Sequence, residues 1–171
     1  MAPAPHSPLP PSSDAARNVA RRLFANEAGG ETTDDALVAA AERVCALVSE
    51  GISRWFGPYG SLALLTRALT RAQADHPSLV SVTIAAESSW HVMGLGDSAK
   101  THGATATVAG VVAMLAALAD LIGRLIGDDL ATTLLEQSVA MPLSSETTTT
   151  VDATVAAKPA ADAKQTGKTH G

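Results

Sequence analysis

The chain is poor in cysteine, in aromatic residues and in basic residues along its middle, and each shortage closes a class of function. Cys45 is the single cysteine of 171 residues, so neither an intrachain disulfide framework nor a thiolate zinc cluster can form. A lone thiol fits a reducing compartment, and a cytoplasmic location is the expectation. Aromatics make up 3% of a chain that is 46% apolar. A core must therefore be built from Leu, Val, Ile and Ala, a mixture that favours helix over sheet. Between residues 31 and 141, six basic side chains stand against twelve acidic ones, a net charge of −6. Nucleic-acid affinity rests on phosphate neutralisation, so this balance argues against a nucleic-acid partner. Phosphate-loop glycine patterns, a G-x-S-x-G elbow and an H-E-x-x-H pair are also missing. Without them no catalytic constellation emerges, and the expectation is a non-enzymatic protein with no cofactor.

What the chain does have is one long apolar stretch at residues 103–126, GATATVAGVVAMLAALADLIGRLI. Val108, Val111, Leu115, Leu118, Ile122 and Leu125 recur at spacings of three and four, like the seam of a heptad. A helix that is apolar nearly all round is either the central rod of a core or a membrane span. Its uncharged part, 103–119, is 17 residues, at the bottom of the spanning range. Any longer span would hold Asp120 and Arg124 inside the bilayer at considerable cost. The reading therefore favours a buried rod. An interfacial helix is weakened in turn by the lack of a basic polar face.

Around this rod the pattern is helical. Five prolines in the first eleven residues deny both helix and ladder, so 1–12 reads as a disordered arm. Ser13 can cap a helix whose stripe is Ala16, Val19, Ala20, Leu23 and Phe24, with Arg17, Arg21 and Arg22 on its polar side. Thr33 with Asp34 and Asp35 opens a second helix, whose apolar face runs from Leu37 through Val44, Val48 and Ile52 to Trp55. Gly57-Pro58 should stop it, and Ser61 should cap a third helix ending near His76-Pro77. Residues 79–93 alternate like a strand, yet Leu79, Val82, Ala86 and Trp90 also fit a helical face and no partner strand is evident, so an irregular or short extended segment across the bundle is expected. Residues 94–97 read as a loop, and Gly127 either ends the rod or weakens one continuous helix. Beyond Pro142, large apolar residues are too few to offset ordering entropy, and 142–171 reads as a disordered tail.

The expected fold is all-α: a small bundle of four to five helices, spanning 13–141, between two disordered tails. Two places could meet a partner. One is the aromatic corner Trp55, Phe56 and Tyr59, whose rings either plug the end of the bundle or form a hot spot. The other is the rod's seam at Val108, Val111, Leu115 and Leu118. The leading expectation is thus an interaction or regulatory protein that binds a protein partner or a second copy of itself. A metal- or ligand-binding enzyme using His91, Asp97 and His102 is the alternative from another class, with Glu87 in reserve. Its weakness is a flexible spacing without a rigid ligand pair. Peripheral attachment to a membrane through 103–126 ranks last.

Overall fold

Ser13 begins the first helix as a capping residue should, its hydroxyl accepting the Ala16 amide at 3.2 Å. The computed structural model describes residues 12–86 and 90–140. Glu87, the tail 142–171 and all of the Pro-rich arm except Ser12 lie outside the described residues. Helix α1 (Asp14–Ala28) buries Ala16, Val19, Ala20 and Leu23 of the expected stripe, with Phe24 half-buried against the core, and ends at Gly29.

The next two helices form one long element, α2 (Asp34–Asp75), broken at Gly57. Gly57 adopts φ 69 and ψ 174, a conformation open to glycine and strained for other residues. In a straight helix, residues eight apart are separated by about 12 Å along the axis. The hydroxyls of Ser53 and Ser61 are nevertheless 2.9 Å apart, so the chain turns sharply here. Pro58 opens the second arm, 58–75, where its missing N–H removes no helical bond. Ser61 is not the cap it was expected to be. It lies buried inside that arm and donates to the Pro58 carbonyl at 2.9 Å.

The segment after His76 departs from expectation. A short 3-10 turn (Pro77–Leu79) leads into an antiparallel hairpin, β1 (Thr83–Ala86) with β2 (Trp90–Met93). The pairing is Thr83 with Met93 and Ile84 with Val92. The strand-like half therefore has a partner after all, its own continuation. Residues 95–97, expected in a loop, begin α3 (Leu95–His102). The apolar rod is α4 (Ala104–Ile126), and Gly127, at φ 95, separates it from α5 (Asp128–Ala140). The described chain is thus an all-α bundle of five helices with one small hairpin.

Helix α4 is the axis, packed against α1, α2, α3 and α5. Val111, Leu115, Leu118 and Ile122 are at most 1% exposed and meet a shell including Leu23, Val48, Ile52, Leu65 and Leu135. Each large side chain so enclosed contributes roughly 1.5–3 kcal/mol relative to leaving it in water. By length and composition α4 is also long and apolar enough to cross a membrane. In this fold its apolar surface is largely covered by the chain itself.

Candidate functional site

The aromatic corner follows from the break in α2. Phe56 turns inward and packs on the core, while Gly60 leaves room for it, its ideal Cβ position lying 3.1 Å from the Phe56 Cβ. Trp55 and Tyr59, on either side of the break, turn outward and are 67% and 84% exposed. One ring of the three plugs the bundle; the other two stand in solvent. The bend carrying them is held by the Ser53–Ser61 and Ser61–Pro58 contacts, so the rings project from a braced turn. Glu50 and Arg54 form an ion pair beside it.

The other proposed interface is used differently. Val111, Leu115 and Leu118 are enclosed in the chain's own core, and Val108 is half-buried against it. Covered by four helices, that seam is not available to a partner unless the bundle opens. The outward-facing large apolar side chains of the second half are Met93 on β2, Leu130 on α5 and Leu125, the last member of the expected α4 seam, which turns to solvent instead.

The three residues of the metal alternative are not gathered into a site. His91 lies on β2, and Asp97 and His102 lie on α3, all three exposed. Five residues along a helix turn a side chain by roughly 140° from the first, so Asp97 and His102 face different ways. Asp97 instead pairs with Lys100 at 3.1 Å. Among the described residues no group of three His, Cys, Asp or Glu side chains could hold a metal ion.

Two polar clusters flank α4, and neither was visible in the pattern. At the start of the helix, Ser98 donates to the Ser78 carbonyl and lies 2.9 Å from the Thr107 hydroxyl. Ser78 in turn donates to the Ala106 carbonyl at 3.0 Å. These buried hydroxyls tie the 3-10 turn, α3 and α4 together. Further along, the Asp120 carboxylate accepts from the Ser13 hydroxyl at 2.9 Å and from its amide at 3.2 Å. It also meets the Arg71 guanidinium at 3.5 Å, with both side chains only about a tenth exposed. The charge that would burden a membrane span thus joins α1, α2 and α4.

Cys45 has no catalytic setting. Burial, reinforced by the charge of Glu42, pushes its thiol up from 9.0 to about 12, so it stays protonated and inert at neutral pH. The Arg17 hydrogen bond and charge hold the exposed Asp14 carboxyl below its ordinary value, with Arg17 itself half-buried. Compared with known proteins, the chain matches no protein family, no curated protein and no solved structure.

Proposed function

We propose that this chain is a non-enzymatic interaction protein of the cytoplasm, a helical scaffold that presents the Trp55–Tyr59 corner to a protein partner. A second copy of the same chain is the simplest such partner and would make a homodimer. The observation that carries this reading is the exposure of Trp55 and Tyr59 at a braced turn in a chain with only five aromatic residues. Trp and Tyr bring large rigid contact area at low entropic cost, which is why they dominate interface hot spots. The wide exposure of two of them is the feature that burial in a partner would resolve.

The test is a photo-crosslinking residue placed at position 59 in the native cell. An adduct, with a second copy or with another protein, that disappears in Trp55→Ala supports the reading. No adduct, or one indifferent to Trp55→Ala, overturns it.

A further inference from the structure

An uncharged face of α2 runs from the start of α1 to the aromatic corner. Along the second arm, Tyr59, Ala63, Thr66 and Thr70 recur at spacings of four, three and four, so they share one side of the helix. All four are exposed, and none carries a charge. The described chain begins at the far end of this face. Ser12 and Thr70 line the same cleft, and Ser13 is fixed there by its bonds to Asp120, the carboxylate that also pairs with Arg71.

What precedes Ser12 suits such a face. Residues 2–11, APAPHSPLPP, contain no Asp, Glu, Lys or Arg. Pro5, Pro8 and Pro11 recur at every third residue, the repeat of a polyproline II helix, in which they form one ridge. Exposed aromatic rings are the usual receptors of such ridges, because the ligand backbone is already ordered before it docks. The lengths also agree. Tyr59 lies about 17 Å from Thr70 along the helix axis. In polyproline II the chain travels about 12 Å from Ser12 to Pro8 and about 22 Å to Pro5. These two prolines therefore bracket the level of Tyr59 in the same molecule.

From this geometry we infer that the corner is capped in cis by residues 5–11 of its own chain, laid along the Thr70–Tyr59 face with their prolines on Trp55 and Tyr59. The inference rests on the reading of the corner as a docking surface and adds its regulation. Tethered at Ser13, the arm meets the corner at an effective concentration of about millimolar, whereas a partner must arrive by diffusion. A partner binds only the molecules from which the arm has lifted, so the arm sets the affinity that a partner needs.

Magnetic resonance of the purified full chain tests the contact, with the Trp55 indole N–H and the amides of Tyr59 and Ala63 as reporters. The comparison is Pro5→Ala/Pro8→Ala/Pro11→Ala, which keeps the length and charge of the arm and removes its ridge. The variant should shift these reporters and leave the Leu115 and Leu118 amides in place. A synthetic peptide of residues 3–11 should return the variant's reporters to their wild-type positions, and tenfold dilution of wild type should move nothing. Reporters identical in the two chains, or a variant that ignores the peptide, would overturn the inference. So would wild-type reporters that drift to the variant's positions on dilution, since a second copy would then supply the arm. In cells the triple substitution should raise the yield of the position-59 adduct about threefold, and an unchanged yield would overturn the competition. The resonance measurement involves no partner. A position-59 adduct absent from cells therefore removes the partner reading alone, and unmoved reporters remove the arm's contact alone.

Discussion

Helix α4 and the Gly57 corner both hold large apolar residues, yet the fold uses them in opposite ways. Leu115 and Leu118 are at most 1% exposed, whereas Trp55 and Tyr59 are 67% and 84% exposed. The seam that looked most like an interface holds the chain together, and the corner that looked like a plug faces solvent. Apolar content marks where burial energy is available, and the packing of neighbours determines whether the chain itself collects it. Helix α4 has four helices around it. At the corner the chain turns away at Gly57 and leaves two rings uncovered.

This contrast predicts a graded series of stability changes. The largest belongs to the rod: Leu115→Ala should lower unfolding free energy by about 3–4 kcal/mol, the cost of a cavity in a closed core. A loss below about 1 kcal/mol in urea unfolding would mean that the rod is not enclosed as described. Asp120→Ala should cost about 2–3 kcal/mol, because it removes a largely buried carboxylate that pairs with Arg71 and accepts from the Ser13 hydroxyl and amide. Replacing both partners, Arg71→Met with Asp120→Leu, should cost less than Asp120→Ala alone. A double variant weaker than the single one would contradict the desolvation argument.

Smaller effects sharpen the same comparison. Ser98→Ala removes one hydroxyl from the buried cluster at the start of α4 and should cost about 1–2 kcal/mol by leaving the Thr107 and Ser78 groups less satisfied. Cys45 predicts an alkaline effect. The unfolded thiol ionises near 9.0, while the folded one keeps its proton to about 12. In that window the folded state binds the extra proton, so stability is full below it and falls as pH rises through it. The slope is up to about 1.4 kcal/mol per pH unit. Cys45→Ala should flatten the fall in urea midpoint as pH rises above about 9; an unchanged slope would show the thiol to be solvated. At the smallest end, Trp55→Ala and Tyr59→Ala should each leave stability within about 0.5 kcal/mol, as exposed substitutions do.

Much of this architecture was legible in the sequence. The stripes of α1 and α4, the Ser13 cap and the break at Gly57 all follow from helical spacing and from residue types with one strong conformational use. The hairpin was hidden because its connection, Glu87-Ser88-Ser89, carries none of the glycine, proline or asparagine signals that mark a tight turn. Helix α3 was hidden for the opposite reason: Gly94 and Gly96 suggested a loop, while the structure places Gly94 as the cap before a helix. Trp55 continued the spacing of Val48 and Ile52, and periodicity cannot show that no neighbour covers the end of an arm. The meeting of Arg71 with Asp120 joins residues far apart in the chain and leaves no local trace.

The most direct measurement is sedimentation of the tagged protein in native lysate, comparing wild type with the Trp55→Ala/Tyr59→Ala variant and following unfolding of both in parallel. The account predicts that wild type sediments as a species well above the 17.3 kDa of one chain. The variant should sediment as a single chain with unchanged stability. Equal sedimentation of the two, at any mass, would contradict the claim that this corner is where the protein meets its partner.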